Sequence, residues 1–445
     1  MIYLLSPWCE RKYSGPITSL LYLKYYLQDN GIDSEVIDCS QYDKDYNEVM
    51  AKIIHPDVIG ITGYTRERFN AYSLIWILRE RFPEATFVVG GRHFGALADE
   101  VLSKLPVDHV VKGEGEEQFI DICRRHYRNQ RTVNIDKYRC FDQIDSGNLT
   151  TKLKLAAGDF VSVTTSRGCV GQCVFCCDGP TIIRFRSIAK IVTEIEQKIR
   201  LTGCQNVAFG DSAFTVLGPR VVELCYHLKK LGVRWSCYAR ADMDPGLIPL
   251  MAESGCVEMD IGLESGSTKV LKAIKKRIKV DDYRRLVKEA HLRDIKTYVF
   301  VMISLPDETW EDALETLELV RETSDSIDGL GVQVARIMPD AALYQIAKDR
   351  GLLPEGFDWF KPYKITKEEK EVAKDWTYQN VPLYREHLSL EQIATLLKTY
   401  ELIVLKKMGW DGLKQAIRWN LKWDVFKRLT PNKAIDKVKK LWQIS

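Results

Sequence analysis

Residues 166–179 read SRGCVGQCVFCCDG and place Cys169, Cys173, Cys176 and Cys177 within nine positions, while the other eight cysteines are scattered through 445 residues. Thiolates are soft ligands that select zinc, copper(I) or iron-sulfur clusters. A structural zinc site is usually closed by four ligands, often two CxxC pairs some distance apart, and the sequence offers no second pair. Three thiols spaced C-x3-C-x2-C suit an iron-sulfur cubane better, because three protein thiolates leave one iron with an open position for chemistry. Cys169, Cys173 and Cys176 are therefore the expected metal ligands and catalytic residues. Side chains of adjacent residues on a loop tend to diverge, so Cys177 is expected to be a small buried hydrophobe and not a fourth ligand.

The elements that must position this cluster show in the hydrophobic pattern. Short apolar runs at 2–5, 34–37, 58–62, 86–89 and 109–112 each precede a helical stretch, such as Phe69, Tyr72, Ile75 and Trp76. Alternating strand and helix predicts a parallel, doubly wound sheet over residues 1–128. Ligands of such sheets sit beyond the carboxyl ends of the strands, where this chain has Thr62-Gly63-Tyr64, Gly90-Gly91 and Gly113-Glu114. Paired glycines let a backbone approach a bulky ligand closely.

Residues 129–157 are polar and aperiodic and are expected to be a linker. A second alternating block covers 158–348, with strands expected at 160–164, 206–209, 233–238, 257–262, 296–303 and 329–337. Ser187 is the expected N-cap of the helix that follows the cysteines. Six βα units predict a partial (βα)6 barrel, and the cysteines follow its first strand, on the face where barrels carry their chemistry. From 346 onward the strand pattern stops, and six of the ten tryptophans appear. Residues 349–445 are expected to form a helical cap over the barrel mouth. The fold class is thus α/β: a doubly wound, flavodoxin-like sheet, a partial barrel and a helical C-terminal region.

Composition excludes some classes. With 64 Lys and Arg against 61 Asp and Glu, the net charge of +3 gives no global attraction to nucleic acid, and no RNA-binding module is recognisable. No apolar run approaches a membrane span, and the start MIYLLSPWCERKY lacks a basic leader, so a cytoplasmic protein is expected. A reducing compartment favours metal-binding over disulfide-bonded cysteines.

Cys169-Val-Gly-Gln-Cys173-Val-Phe175-Cys176, preceded by Arg167-Gly168, resembles the radical S-adenosylmethionine (SAM) motif. The likeness continues through Phe209-Gly-Asp-Ser-Ala-Phe214, Tyr238-Ala-Arg-Ala-Asp242, Gly262-Leu-Glu-Ser-Gly-Ser267, Leu305-Pro306 and Ile337-Met-Pro339. The N-terminal block resembles the cobalamin-binding domain that precedes such barrels in one subfamily. The resemblance implies a [4Fe-4S] cluster, SAM and cobalamin as cofactors. It implies reductive cleavage of SAM to a 5′-deoxyadenosyl radical, hydrogen abstraction from a small-molecule or peptide substrate, and methyl transfer from methylcobalamin to carbon. Radical rearrangement, cyclisation or bond formation without methylation is the alternative, and an RNA or protein methylthiotransferase-like modifier or a non-catalytic, metal-stabilised binding protein are more distant ones. An external electron donor such as flavodoxin or ferredoxin is implied as partner.

By the same resemblance Gly210, Asp211 and Ser212 face the SAM amino group, Arg240 its carboxylate, and Glu264 and Ser265 the ribose hydroxyls. Thr62, Gly63, Tyr64, Gly90, Gly91, Gly113 and Glu114 line the cobalamin site. The loop from Ser6 to Gly15 lacks the histidine that binds cobalt in many cobalamin domains, so base-off binding without a histidine ligand is expected. Trp8 or Tyr13 would then cover that face of the metal, and His93, on a different loop, is expected to be packed or solvated.

Overall fold

The computed structural model describes residues 1–9, 15–42, 46–126, 160–363, 365–372 and 380–403. The expected linker, Tyr13 and all tryptophans of the C-terminal region except Trp359 lie outside these residues.

Strands β1 (Ile2–Ser6), β2 (Ser34–Asp38), β3 (Val58–Thr62), β4 (Thr86–Gly90) and β5 (His109–Val110) form one parallel sheet in the order β2-β1-β3-β4-β5. All five residues of β1 and of β3 are buried, as in a central strand covered on both faces. Alternate residues feed two cores. Tyr3, Leu5, Ile59, Ile61 and Phe87 pack beneath the helix Arg68–Arg81, while Ile2, Leu4, Val58 and Val88 meet Leu20, Phe119 and Ile120 on the other side. Strand order reverses beside β1, which opens a crevice at the carboxyl ends there. β5 is two residues long where four were expected, because the chain already leaves the sheet toward Gly113, whose φ is +78°.

The second sheet contains β6 (Val161–Val163), followed outside it by the short antiparallel pair β7 (Ser166–Arg167) and β8 (Arg184–Phe185). It continues with β9 (Asn206–Phe209), β10 (Arg234–Arg240), β11 (Cys256–Glu264), β12 (Lys296–Ile303) and β13 (Gly329–Val334). Its six parallel strands lie in strict sequence order from β6 to β13, the open half-barrel that six βα units predict. Helix Ile188–Thr202 shows how local sequence sets the wall. The Ser187 side chain accepts from the Lys190 N–H at 3.4 Å, Ile188, Ile191 and Ile195 are buried, and Gly203 ends the helix at φ +70°.

The C-terminal region corrects the sequence reading in two ways. Strand-like pairing does not stop at 346: Ile337 N–H donates to Pro382 C=O at 2.9 Å and Tyr384 N–H to Ala335 C=O at 2.8 Å, around an antiparallel bridge between Arg336 and Leu383. The stretch around Trp359 is also not over the barrel. It packs with Phe357 and Phe360 against the N-terminal sheet's core, because the buried Arg68 holds it there. Arg68 donates to the carbonyls of Trp359 (3.0 Å), Thr65 (2.8 Å) and Asn380 (2.7 Å). Its guanidinium also lies over the Phe69 and Trp359 rings, 4.3 and 5.4 Å from their centroids.

Candidate functional site

The cysteines sit on the long loop between β6 and the helix Ile188–Thr202, and the loop is closed at its base by β7 and β8. Gly168 has φ +98°, and a Cβ there would lie 2.5 Å from the Ile182 carbonyl oxygen, so only glycine lets the two sides approach. Thr181 N–H donates to Cys169 C=O at 2.9 Å and the Thr181 hydroxyl accepts from Cys169 N–H at 3.0 Å. Farther along, Val174 N–H donates to Ile274 C=O at 3.0 Å and Leu343 N–H to Val174 C=O at 2.7 Å, which fastens the middle of the loop to the barrel.

The three expected ligands converge. A Cβ at Gly171 would lie 3.2 Å from the Cys169 sulfur, 3.8 Å from that of Cys173 and 3.4 Å from Arg240 Nη1. Backbone N–H groups of Gly171 and Asp178 point at the Cys169 and Cys176 sulfurs, at 3.3 and 3.4 Å. Burial pushes the Cys173 and Cys176 thiols up in pKa, and Lys276 works in the opposite direction on both. Three converging thiols, with N–H donors on two of them and a lysine nearby, suit a cluster ligated by thiolates.

Cys177 diverges from the group as expected, yet it is not simply a hydrophobe. Its thiol donates to Asp340 Oδ1 at 2.9 Å, and burial followed by that carboxylate raises its pKa strongly, so it stays protonated. Phe175 is partly buried and packs against the barrel core.

At the end of β9, Gly210 N–H donates to Val163 C=O at 3.1 Å. Asp211 is 1% exposed, and its carboxylate accepts from Thr165 N–H (2.8 and 3.1 Å), Ser166 N–H and the Ser166 hydroxyl (2.8 Å). Asp211 thus grips the chain just before the first cysteine. Ser212 donates to Asp178 Oδ2 at 2.8 Å, tying β9 to the end of the cysteine loop. Arg240 pairs with Asp242 through Nε and Nη2, each at 2.8 Å, and leaves Nη1 beside the cysteine loop. Glu264 adopts φ +68° at a register shift between β11 and β12 and pairs with Lys276 at 3.0 Å. Ser265 is fully buried against the Thr316 hydroxyl (3.1 Å) and receives the Ser267 N–H (3.2 Å).

A cavity of about 550 Å³ runs from the crevice of the first sheet to the barrel, lined by Thr62, Tyr64, Gly90, Gly91, Gly113 and Glu114 on one side and by Thr164, Arg167 and Gly210 on the other. Gly63 is not part of the lining: a Cβ there would lie 2.5 Å from the Phe94 ring, so its role is close packing. Charged pairs bridge the domains around this cavity. Arg92 reaches the Cys177 carbonyl at 2.5 Å and pairs with Asp178, Arg167 pairs with Glu116 at 2.7 Å, and Arg184 pairs with Glu114. Arg92, Arg167, Arg184 and Lys276 escaped the sequence reading as site residues because their partners lie 12 to 86 residues away in the chain.

The concave face of the half-barrel was also missed. Strand register aligns Tyr238, Asp260 and Tyr298 in one row across β10, β11 and β12, with Arg240, Gly262 and Phe300 in the row above. Tyr238 and Tyr298 are 49% and 38% exposed, and Asp260 is pushed up to about 6 by burial and then by Glu258. Period-two alternation marks these positions as one face, but only the register puts them side by side.

Two family models match the chain: the Radical SAM superfamily over residues 163–320 and the B12 binding domain over residues 10–122. The chain is a radical SAM protein with a B12-binding domain. Among its relatives is an uncharacterized methyltransferase of Pyrococcus horikoshii, 26% identical over 416 residues and covering 86% of both chains. Another is the anaerobic magnesium-protoporphyrin IX monomethyl ester cyclase of Rubrivivax gelatinosus, 25% identical and covering 81% of this chain and 71% of the cyclase. Among solved structures, the radical S-adenosylmethionine methyltransferase TsrM from Kitasatospora setae, with tryptophan substrate and a SAM analogue bound, superposes with a TM-score of 0.72. It is 18% identical, and the match covers 92% of this chain and 90% of TsrM. That likeness establishes the shared fold.

For the B12-binding domain, the glycine rim of the cavity is the feature that fits a large flat cofactor: Gly113 has nothing within 4 Å of where a Cβ would stand. Among the described residues no histidine lines the cavity. His93 is fully buried, with its ring nitrogens held by the Tyr72 hydroxyl (2.5 Å) and the Thr65 hydroxyl (3.2 Å), and burial lowers its pKa to about 3. Trp8 is half-buried against the sheet core, and its carbonyl accepts from Asn70 at 2.9 Å. No helix among the described residues is long and apolar enough to cross a membrane.

Proposed function

We propose that this protein is a cobalamin-dependent radical SAM methyltransferase that acts on an unactivated carbon of a small molecule or peptide. The observation that carries the reading is the shared seam: the converging thiols and the glycine-rimmed cavity meet along one interdomain surface, and Arg92 of the B12-binding domain touches the cysteine loop at Cys177 and Asp178. Bound there, the cluster and SAM supply a 5′-deoxyadenosyl radical, and cobalamin supplies a methyl group.

The chain's own residues would do the rest. Cys169, Cys173 and Cys176 would hold the cluster and leave one iron open for the amino and carboxylate groups of SAM. Arg240 is held in place by Asp242 and keeps Nη1 for the carboxylate. Ser212 would face the SAM amino group, and Glu264, steadied by Lys276, would accept from a ribose hydroxyl. The Asp211 carboxylate, engaged by Thr165 and Ser166, would set the loop in position and reach SAM only through it. Thr62, Tyr64, Gly90, Gly91, Gly113 and Glu114 would bound the cobalamin, and Tyr238, Asp260 and Tyr298 would face substrate.

The relationship to a cyclase favours a second reading, radical cyclisation without methylation. Feeding SAM with a deuterated methyl group to the anaerobically reconstituted protein, with extracts supplying candidate substrates, separates the two. Methylation predicts labelled product with 5′-deoxyadenosine and S-adenosylhomocysteine formed together. Product formed with deoxyadenosine alone, carrying no label, would refute it in favour of cyclisation.

A further inference from the structure

Beside the cysteine loop lies a run of cations, Lys272-Ala-Ile-Lys275-Lys276-Arg277-Ile-Lys279, with no acidic residue among them. The run is joined to the cluster loop at two points: Ile274 C=O accepts the Val174 N–H at 3.0 Å, and Arg277 donates to Gln172 Oε1 at 2.8 Å. Gln172 and Val174 flank Cys173, and Val170, between Cys169 and Cys173, is 55% exposed. Gln172, Lys272, Lys275, Lys276 and Arg277 line one open depression of about 580 Å³. Lys276 is engaged inward by Glu264, whereas Lys272, Lys275 and Lys279 are exposed and have no ion-pair partner among the described residues. Among the carboxylates around the run, Asp242 is paired with Arg240, Asp281 with Arg284 at 2.8 Å and Asp282 with Arg285, while Asp244, which shares a pocket with Lys275 and Arg277, accepts from the Gly246 N–H at 2.9 Å.

A predominantly positive patch joined to the cysteine loop on both sides of Cys173 has a specific use. We infer that it is the docking surface for an acidic one-electron donor protein, which approaches the cluster over Val170 to Gln172. One electron leaves the reduced donor and enters the cluster; no bond is made or broken at the contact, and the donor is oxidised by one electron. Electrostatic complementarity of this kind raises encounter rate and fixes orientation more than it adds affinity, and it weakens with salt. The inference rests on the proposed reading that the thiols carry a cluster needing an external electron.

The probe is a flavodoxin, with Lys272→Glu/Lys275→Glu as the test variant and Lys52→Glu, on the other domain, as control. Both test positions are exposed and outside the site described above, so reduction of the cluster by dithionite is expected to match the unsubstituted protein. Reduction by flavodoxin hydroquinone is expected to slow about tenfold at low ionic strength, with the difference shrinking as salt is added. Binding of oxidised flavodoxin to protein without iron is expected to weaken in parallel, a readout independent of the cluster. If the double variant binds flavodoxin and accepts its electron as well as the Lys52→Glu control does, the docking surface is refuted, and a phosphate-bearing ligand becomes the better occupant. Failure to assemble any cluster would refute the proposed function instead, while flavodoxin binding to the iron-free protein would still decide the patch.

Discussion

Replacing Asp211 with alanine discriminates between two roles for the same carboxylate. The family resemblance puts it against the SAM amino group; the fold turns it onto the backbone of Thr165 and Ser166, four and three residues before Cys169. Hydrogen bonds to a charged acceptor contribute about 1.5–3 kcal/mol each, and a buried N–H left without a partner costs about 1–3 kcal/mol. Two backbone N–H groups and one hydroxyl lose their acceptor in the alanine variant. Part of that loss is offset, because burial raises the pKa of Asp211 and removing the carboxylate relieves its desolvation. A net cost of about 3 kcal/mol is expected, read as a shift in the urea midpoint of the iron-free protein at pH 7.5. Asparagine keeps the shape and one acceptor oxygen, so about half that cost is expected. Iron per chain after reconstitution should fall with stability, since the loop loses its anchor where Cys169 must be placed. An alanine variant with unchanged midpoint and full iron, but weakened SAM binding, would refute this reasoning and restore the direct contact.

The buried His93 sets an acid limit on the B12-binding domain. Burial first, then Arg68, lowers its pKa from 6.5 to about 3, so between those values the unfolded chain binds a proton that the folded chain does not, and stability falls as pH drops through that window. Each pH unit inside it is worth at most about 1.4 kcal/mol, and His93→Gln should flatten urea midpoints measured from pH 7 to pH 4, whereas an unchanged slope would show that the ring is not the titrating group. Arg68→Leu strips the donors from three carbonyls at about 1 kcal/mol each, so a loss of about 3 kcal/mol is expected, with faster proteolysis near Trp359. Unchanged cleavage there would mean that the aromatic packing of Trp359 alone holds the segment.

Strand and helix periods carried most of the architecture. Runs such as 58–62 and 296–303 coincide with β3 and β12 residue for residue, because a strand buried on one or both faces must show its burial in its composition. The cysteines were legible for a different reason: ligand type and spacing along a single loop are local properties. What remained hidden depends on distant parts of the chain. Arg92 looks like an ordinary surface residue after Gly91 until the fold sets it against Asp178, and Asp211 looks like a free acceptor until β6 and β9 lie in register. The extended segment around Leu383 was missed because it adds only an isolated bridge to the edge, too short for any alternation to appear. Trp359 was assigned to the barrel mouth because tryptophan content says that a segment packs without saying against what.

The two contacts that join the domains differ in kind, and that difference bears on how a large cofactor could be held between them. Arg68 is fully buried and donates across the contact to the Trp359 and Asn380 carbonyls, so parting the segments there would break two hydrogen bonds to a charged donor and expose the aromatic rings packed around it. The pairs around the cavity are partly exposed, with Arg92, Arg184 and Glu114 each more than two-fifths open to solvent. Such pairs contribute about 0–1 kcal/mol each, since water replaces the partner when they part. Their signs alternate across the seam: the B12-binding domain offers Arg92, Glu114 and Glu116, and the barrel offers Asp178, Arg184 and Arg167. A slip of one domain along the other would bring like charges together, so the pattern fixes the relative position more than it strengthens the contact. A firm clamp on one side and a self-aligning seam on the other hold the cavity in a single register, which is the condition for keeping one cofactor at a fixed place relative to Cys169, Cys173 and Cys176.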